Sequence, residues 1–271
     1  MTPNFDEATA LVPDDETPVG PDTDEVLWHG HMTNDWSIGA VPNGGYTSAI
    51  VVRALLAHTG AQRPASLTTH YQRPTIADAP LTVRTRVIRR GRSMTHGEAV
   101  FVQDDKTRAH SIAVLGDYAT DDVLFARTPP TIPSAEDCEP RDPKSQGLDM
   151  TLMQSLDIRV DSPNKADSRP GSSRFDCWVR FRDDRPNDEL ALALMVDAFP
   201  PAILAAVPTT AWVPTIEMTT HIRATAAPGW IQGEIVTDDV RGGEIVEDVR
   251  LWDSTGALVA EARQIALLRT N

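Results

Sequence analysis

The feature that most constrains this chain is a short pattern that occurs twice, 151 positions apart. The tetrapeptide Leu67-Thr68-Thr69-His70 lies in an apolar, β-branched stretch, and Met218-Thr219-Thr220-His221 lies in another. Two further matches extend the pattern: Val52-Arg53-Ala54 resembles Val196-Asp197-Ala198, and residues 111–115 resemble residues 264–268. Because the matches keep their order and a similar spacing, they indicate a duplication of one folding unit of roughly 100 residues.

The composition narrows the possible classes of function. With 39 acidic and 25 basic residues, the chain has a net charge of −14, which disfavours a nucleic-acid-binding surface. No apolar run approaches the roughly 20 residues that span a bilayer, and residues 1–25 lack the basic start and apolar core of a secretion signal. The two cysteines, Cys138 and Cys177, fit a reducing compartment without a disulfide framework. We therefore expect a cytoplasmic protein without membrane or nucleic-acid partners.

The first half of the chain is predicted to contain a strand, one helix and four further strands. Residues 1–23 show no periodicity and predict a mobile N-terminal tail, or a strap along the surface. A first strand is expected after Glu25. The turn Pro42-Asn43-Gly44-Gly45-Tyr46 then leads into an apolar helix over 47–58, which Gly60 can end. Four β-rich runs follow, at 66–73, 81–90, 94–103 and 108–116.

The second half repeats this arrangement after a linker. Residues 120–150 are rich in proline and acidic residues, which predicts a linker between one domain at 24–119 and another at 151–271. A strand is expected at 174–182, followed by a helix that Asp188 caps and that begins at Glu189. Four strands are then expected, at 213–223, 230–237, 244–252 and 257–269.

This order of elements predicts an α+β fold. A helix that is apolar around most of its circumference must be covered on several sides, and a strongly curved antiparallel sheet supplies that cover. The predicted architecture is therefore a double hotdog: two tandem antiparallel sheets, each wrapped around a long central helix and joined edge to edge. Two unrelated α+β domains are the alternative, and the repeated order favours the tandem arrangement.

Asp197 is the strongest candidate for chemistry. It lies in Leu194-Met195-Val196-Asp197-Ala198-Phe199, the most apolar helical stretch of the second half, where a carboxylate needs partners or its pKa rises through desolvation. Pro200 and Pro201 follow, and neither can donate a hydrogen bond to the preceding turn. The helix is therefore expected to kink or end beside the acid. The alternative is an aspartate on an exposed helix stripe, and we favour the functional interpretation.

Other candidate residues are weaker when taken singly. Gln264 interrupts an apolar strand between two alanines, and Thr215 opens the strand that carries the second Thr-Thr-His; each is by itself more typical of an ordinary strand residue. Gly44 and Gly45 precede a helix and can present backbone N–H groups to a carbonyl oxygen or an anion, although a tight turn also explains them. The sequence contains no nucleophile elbow, phosphate-binding loop or dinucleotide fingerprint. The seven histidines lack ligand spacing, so no metal is expected.

These residues resemble a known family, the tandem-hotdog acyl-CoA thioesterases of the bacterial type II (TesB-like) group. The resemblance covers roughly residues 25–269 and rests on the order of several short segments. These are Asn43-Gly44-Gly45-Tyr46, then Leu67-Thr68-Thr69-His70-Tyr71-Gln72-Arg73-Pro74, then Arg89-Arg90-Gly91-Arg92-Ser93. After the strand-opening threonine, family members often carry Asp-His; here the run is Ile216-Glu217-Met218-Thr219-Thr220-His221.

The resemblance implies an activity and the residues that perform it. The family's water-activating residues match Asp197, Thr215 and Gln264, and the implied reaction is hydrolysis of an acyl-CoA without a covalent intermediate. A backbone N–H at Gly44 or Gly45 would stabilise the oxyanion. Coenzyme A enters only as part of the substrate, and no other cofactor is implied. Because the first half has Arg53, Pro64 and Ser111 at the corresponding positions, one site per chain is expected.

Two other functions remain open at this stage. A non-catalytic hotdog protein would bind acyl thioesters without turning them over. A hotdog hydratase or dehydratase would need an acid–histidine pair, and neither predicted helix carries a histidine beside its acid. Exposed sheet edges in such folds favour a homo-oligomer, a dimer or larger. The sequence does not indicate the length or type of the acyl group.

Overall fold

The structure is a computed structural model of the chain, and it describes residues 4–14, 24–118, 123–142, 149–161, 173–206 and 213–269. The first half contains α1 (Phe5–Ala8), β1 (Val12–Pro13), β2 (Glu25–Met32), β3 (Ser37–Ile38), β4 (Val41–Pro42), α2 (Gly44–Thr59), β5 (Arg63–Tyr71), β6 (Ala79–Arg90), β7 (Met94–Gln103) and β8 (Lys106–Gly116). The second half contains β9 (Glu139–Pro140), β10 (Leu156–Val160), β11 (Ser173–Phe181), α3 (Glu189–Met195), β12 (Thr215–Ile222), β13 (Ile231–Arg241), β14 (Glu244–Trp252) and β15 (Leu258–Leu267).

The large strands form one continuous antiparallel sheet. Within the described residues its order is β1-β2-β6-β7-β8-β5-β12-β15-β14-β13-β11-β10-β9. The two halves meet where β5 pairs with β12, and the repeated tetrapeptides lie side by side there. Thr68 is opposite Thr219 in the register, and their Oγ1 atoms are 2.9 Å apart. Equivalent positions that pair with each other mark a local two-fold axis, so the predicted duplication and edge-to-edge joining are confirmed.

The helix α2 is the buried helix that the sequence predicts for the first half. It begins after the N-cap Asn43, whose Oδ1 accepts a hydrogen bond from the Tyr46 N–H at 3.1 Å. It ends at Gly60, which adopts the left-handed conformation with φ of 73°. Ile50, Val51 and Leu55 are fully buried against the sheet. This burial on several faces is what a helix enclosed by a curved sheet requires.

The helix α3 is shorter than the long helix expected for the second half. It has 7 residues and begins after Asp188, whose side chain accepts a hydrogen bond from the Ala191 N–H at 2.9 Å. It ends at Met195, and the next residues form turns up to Pro200. Since Pro200 and Pro201 cannot donate to the carbonyls four residues earlier, the helix cannot continue through them.

The N-terminal segment differs from the free tail that the sequence suggests. Phe5 is buried, and its ring centre lies 4.8 Å from that of Trp36 and 5.3 Å from that of Phe181. Asp6 accepts a hydrogen bond from Arg185 at 2.9 Å. The prediction of a mobile tail is therefore wrong for residues 4–14, because one aromatic side chain ties this segment to the core as a strap. Residues 15–23 lie outside the described residues.

The two ends of the sheet are short. Strands β1 and β9 have two residues each, and short edge strands offer little backbone for pairing with another chain. The oligomer remains a prediction, and sheet edges give it little support. Among the described residues, no helix combines the length and the apolar character that crossing a bilayer requires.

Candidate active site

Asp197 lies in the turn that follows α3. Its backbone carbonyl has no helical donor, because Pro201 occupies the position four residues later. Instead it accepts a hydrogen bond from Nδ2 of Asn43 at 2.9 Å. The expected loss of a helical partner at this carbonyl is confirmed, and the replacement donor comes from the first half of the chain.

The Asp197 carboxylate is held at the start of α2. Its Oδ2 accepts hydrogen bonds from the Gly45 N–H and from Nδ2 of Asn43, both at 2.9 Å. The first turn of a helix carries unpaired N–H groups and the positive end of the helix dipole, so it stabilises an anion. The acid of the second half is thus bound by the helix N-terminus of the first half.

Burial dominates the protonation of this carboxylate. Loss of hydration raises the pKa of Asp197 to about 6, and hydrogen bonds from Gly45, Asn43 and Gly44 oppose that rise. A carboxyl group with a pKa near 6 is ionised at neutral pH and is a stronger base than an ordinary aspartate. Asp197 can therefore accept a proton from a bound water.

The two glycines that begin α2 lie against the Asp197 carboxylate. The Gly45 N–H donates a hydrogen bond to the Asp197 carboxylate, and the Gly44 N–H also lowers the pKa of that carboxyl. A Cβ at residue 45 would lie 2.5 Å from the Leu194 carbonyl oxygen, and one at residue 44 would lie 2.9 Å from Asp197 Oδ2. The structure therefore does not show the expected oxyanion donors; these glycines allow α2 to approach α3 and its acid closely.

Thr215 and Gln264 lie beside each other on neighbouring strands. Thr215 begins β12 next to a bulge, and Gln264 lies on β15. The Thr215 hydroxyl donates to Oε1 of Gln264 at 2.6 Å, and its proximity to Asp197 lowers the pKa of that carboxyl. The structure thus brings together the three residues that the sequence selects, from the turn after α3, from β12 and from β15.

A fourth polar residue, Glu247, joins the three that the sequence predicts. It is 3% exposed, and its Oε1 accepts a hydrogen bond from Nε2 of Gln264 at 2.7 Å. Its Oε2 accepts from the Ala202 N–H at 2.6 Å and from the Thr237 hydroxyl at 3.2 Å. Burial raises its pKa to about 7, and the charge of Asp197 adds to the rise.

A signal for Glu247 was present in the sequence. Side chains on a strand alternate between the two faces, and Ile245, Val249 and Leu251 on β14 are all buried. Glu247 shares their face, so an acid at this position must be buried with them. An acidic residue within an apolar alternation marks a carboxylate that needs internal partners.

These polar groups line a cavity of about 440 Å³ between α3, the start of α2 and the inner face of the second half-sheet. Apolar side chains, including Phe199, Ile235 and Val249, form much of its wall. Arg73 and Arg269, both exposed, lie on its rim. The arrangement combines a base, two hydrogen-bonding groups and an apolar space, which suits attack by water on an acyl group.

The corresponding positions of the first half carry other contacts. Arg53, which aligns with Asp197, donates hydrogen bonds to Asp6 and Thr9. Ser111, which aligns with Gln264, lies 2.9 Å from the Thr69 hydroxyl. In the part of the chain that the structure describes, the trio Asp197, Thr215 and Gln264 thus occurs once, and no cluster of three or more potential metal ligands is found there.

Comparison with known families decides the relationship of the chain. Residues 32–116 match the model of the acyl-CoA thioesterase N-terminal domain, and residues 135–268 match that of the C-terminal domain. The chain belongs to the acyl-CoA thioesterase family. The C-terminal domain of the family begins inside the segment predicted to be a linker, and β9 in that segment pairs with β10.

Individual relatives of this acyl-CoA thioesterase family member agree with the fold. A crystal structure from Thermobifida fusca, described as a candidate thioesterase II, is 28% identical with a TM-score of 0.85 and covers 98% of this chain and 97% of its own. The acyl-CoA thioesterase II TesB2 of Mycobacterium marinum is 18% identical, has a TM-score of 0.75 and covers 98% of each chain, and this likeness shows the hotdog fold alone. The uncharacterized protein Rv0499 of Mycobacterium tuberculosis is 25% identical over 297 residues and covers 99% of each chain.

Proposed function

We propose that this family member hydrolyses acyl-CoA thioesters with a water molecule bound by Asp197, Thr215 and Gln264. The observation that carries the proposal is the position of the Asp197 carboxylate. It lines the same cavity as Thr215 and Gln264, and burial raises its pKa to about 6. A base in that position can take a proton from a water that faces a thioester carbonyl.

The proposed reaction needs no covalent intermediate and no cofactor. The water oxygen forms a bond to the thioester carbonyl carbon while Asp197 takes the water proton. The carbon–sulfur bond then breaks, and the thiolate of coenzyme A takes up the proton from Asp197. The products are a carboxylic acid and free coenzyme A, and the aspartate returns to its ionised state.

The hydrogen bonds around Gln264 suggest how the water is oriented. The Thr215 proton is donated to Oε1 of Gln264, so the lone pairs of the threonine hydroxyl can accept a proton from the water. Nε2 of Gln264 has two protons and donates one to Glu247. The second can stabilise the developing negative charge on the thioester oxygen, which supports assigning Gln264 this role in place of Gly44 and Gly45.

Coenzyme A is proposed to enter from the rim that carries Arg73 and Arg269. Both arginines are exposed and line the cavity, so they supply local positive charge for phosphates in a chain of net charge −14. The acyl group then extends into the apolar part of the cavity, past Phe199 and Val249.

Release of free thiol from a panel of acyl-CoAs tests the proposal. The wild-type chain is expected to hydrolyse at least one of the short, medium, long or aryl acyl-CoAs, and Asp197→Asn is expected to abolish that activity while keeping the fold. Equal turnover by Asp197→Asn would show that the base is misassigned. Binding of acyl-CoA without turnover by the wild type would favour a non-catalytic role.

The hydratase alternative receives no support from the side chains of the site. Such an enzyme needs an acid and a histidine facing the thioester, and none of the described residues that line the cavity is a histidine. Incubation of an enoyl-CoA with the protein, followed by chromatography of the products, would reveal hydration as formation of a 3-hydroxyacyl-CoA. We expect none to form.

A further inference from the structure

The cavity extends from the proposed water site across the inner face of the sheet. Its lining residues Thr215, Gln264, Val249 and Ile235 lie on β12, β15, β14 and β13, which are successive neighbours in the sheet. Neighbouring strands are about 4.8 Å apart, so these four strands span roughly 14 Å. The part of the cavity at Ile235 is therefore separated from Thr215 by the width of these strands.

Arg141 lines the cavity at this second end. Its backbone N–H donates to the Ile158 carbonyl on β10 at 2.9 Å, and its guanidinium lies near Cys177 on β11. The residue is 7% exposed. An arginine is therefore buried at the end of the cavity that is farther from Thr215 in the strand order.

The contacts of Arg141 do not explain why a charged residue is buried here. Among the described residues, the guanidinium donates one hydrogen bond, from Nη1 to the Ala198 carbonyl at 3.3 Å, although it has five N–H donors. The Ala198 carbonyl needs this donor because the N–H four residues later, that of Ala202, donates its hydrogen bond to Glu247. A neutral side chain such as glutamine would satisfy the same carbonyl.

No carboxylate among the described residues forms an ion pair with Arg141. Loss of hydration lowers the pKa of Arg141 to about 10, and the Cys177 thiol is the titratable group that opposes this shift. The carboxylates of Asp197 and Glu247 do not contribute to it. A buried cation without a carboxylate partner is costly, and an anionic ligand would supply that partner.

We propose that Arg141 forms a subsite for a carboxylate at the far end of the acyl group, so that the preferred substrates are monothioesters of dicarboxylic acids with coenzyme A. This inference rests on the proposed hydrolysis and names its substrate class. The planar guanidinium can bind a carboxylate with two parallel hydrogen bonds. Phe199, Ile235 and Val249 line the space between the two ends, which suits the methylene chain between a thioester and a distant carboxylate.

Matched pairs of substrates test the subsite. Thiol release is measured for adipoyl-CoA against hexanoyl-CoA, suberyl-CoA against octanoyl-CoA, and sebacoyl-CoA against decanoyl-CoA. The two members of each pair have the same number of carbons and differ in the terminal group. We expect the wild type to show a kcat/KM about 10- to 100-fold higher for the ω-carboxyacyl member of at least one pair. This is the gain that a hydrogen bond between charged groups supplies.

Two variants separate the charge of Arg141 from its structural bond. Arg141→Gln keeps a donor for the Ala198 carbonyl and removes the charge. Arg141→Lys keeps the charge and removes the planar guanidinium that can donate two parallel hydrogen bonds. We expect the preference ratio to fall to about one in Arg141→Gln and to an intermediate value in Arg141→Lys. Arg241→Gln, which changes an exposed arginine at the end of β13, is the matched control and should keep the wild-type ratio. Thermal unfolding by circular dichroism verifies that each variant is folded.

A binding measurement separates failure of the subsite from failure of the proposed function. Calorimetric titration compares suberate with octanoate on the wild type and on Arg141→Gln. Tighter binding of suberate that Arg141→Gln removes supports the subsite even if no acyl-CoA is hydrolysed, in which case the proposed function alone fails. Hydrolysis with no preference for any ω-carboxyacyl-CoA, or an unchanged preference in Arg141→Gln, overturns the subsite and leaves the hydrolysis in place. If suberate binds no better than octanoate and nothing is hydrolysed, both proposals are wrong.

Discussion

Nε2 of Gln264 donates a hydrogen bond to Oε1 of Glu247 across 2.7 Å, and this contact sets the orientation of the Gln264 amide. Because the nitrogen faces the carboxylate, the amide oxygen faces Thr215 and accepts its proton at 2.6 Å. Glu247 is itself held by the Ala202 N–H and the Thr237 hydroxyl. A buried carboxylate on β14 thus determines how the hydrogen-bonding atoms of Thr215 and Gln264 are oriented.

Replacing Glu247 with glutamine should reverse this orientation. Glu247→Gln has a single side-chain oxygen, and the Ala202 N–H requires an acceptor. The new NH₂ group would therefore face Gln264 and favour a flipped amide whose nitrogen points at Thr215. We expect kcat to fall on the order of 10- to 100-fold, at or below the lower end of the 10²- to 10⁴-fold typical for loss of a general base.

Steady-state kinetics on the most active acyl-CoA measure this effect. Glu244→Gln is a suitable control, because Glu244 lies at the exposed start of the same strand, β14. An unchanged kcat in Glu247→Gln would mean that the Gln264 orientation does not matter to turnover.

The dependence of activity on pH should reflect both carboxyl groups. The pKa of Asp197 is raised to about 6 and that of Glu247 to about 7, in each case mainly by burial. The base must be ionised to accept a proton, so kcat/KM should be lost as the pH falls through about 6. Protonation of Glu247 weakens its hold on Gln264, so a further decline should begin near pH 7. Since the two charges interact, the measured values belong to the pair.

The variant Glu247→Gln distinguishes the two ionisations. In the wild type we expect kcat/KM to rise over about two pH units around 6 to 7, because two carboxyl groups ionise. In Glu247→Gln we expect kcat/KM to rise once, near pH 6, because one of these carboxyl groups remains. If the pH profile of Glu247→Gln still shows an ionisation near pH 7, that ionisation belongs to a group other than Glu247. The measurement is thiol release between pH 5 and 8.5 at constant ionic strength.

The repeat in the sequence was sufficient to predict the duplication and the joined sheet. Its two tetrapeptides pair across the junction of the halves, with Thr68 opposite Thr219. The strands followed from alternation and turn residues, which are local signals. Asp197 is predictable because an acid in an apolar helical run is unusual. Thr215 and Gln264 are predictable through the family resemblance.

The remaining parts of the site depend on contacts between distant segments. Gly45 comes to donate to Asp197, 152 residues away, and Phe5 becomes buried because Trp36 and Phe181 meet around it. Neither contact has a local signature in the sequence. Arg141 lies in the segment predicted to be a linker, so its burial in the cavity depends on the contacts of that segment with Ile158 and Ala198.

Removing the Asp197 carboxylate should stabilise the fold at neutral pH. The folded state raises its pKa from 3.8 to about 6, so the folded protein binds a proton more tightly than the unfolded chain between these values. The free energy of unfolding therefore falls as the pH rises from about 4 to 6, by up to about 3 kcal/mol and by less where the side chain meets the open cavity. Asp197→Asn avoids this loss.

We expect Asp197→Asn to be inactive and to unfold at higher denaturant than the wild type at pH 7.5, with the difference shrinking toward pH 4. Asp248→Asn, which removes one partner of the surface ion pair with Arg263, is the control and should stay within about 0.5 kcal/mol of the wild type. Urea unfolding at both pH values gives the comparison. A variant that is less stable at pH 7.5 would indicate that the hydrogen bonds to the carboxylate outweigh its burial.

Gly45 should matter for activity beyond its effect on stability. A Cβ at this position would lie 2.5 Å from the Leu194 carbonyl oxygen and 3.0 Å from that of Ala193, so Gly45→Ala must push the start of α2 away from the end of α3. Overpacking of this kind costs about 1–3 kcal/mol, and the shift also separates the Gly45 N–H from Asp197.

The control variant is Gly60→Ala, at the other end of the same helix. It strains the left-handed conformation there, where φ is 73°, and its Cβ would meet no atom within 4 Å. We expect a cost of about 1–2 kcal/mol. Measured at a temperature where both variants are folded, Gly45→Ala should lose kcat at least about tenfold, since moving a reacting group by 1 Å can cost 10²-fold, whereas Gly60→Ala should keep wild-type kcat. Equal kcat in the two variants would show that the contact between α2 and Asp197 serves stability alone.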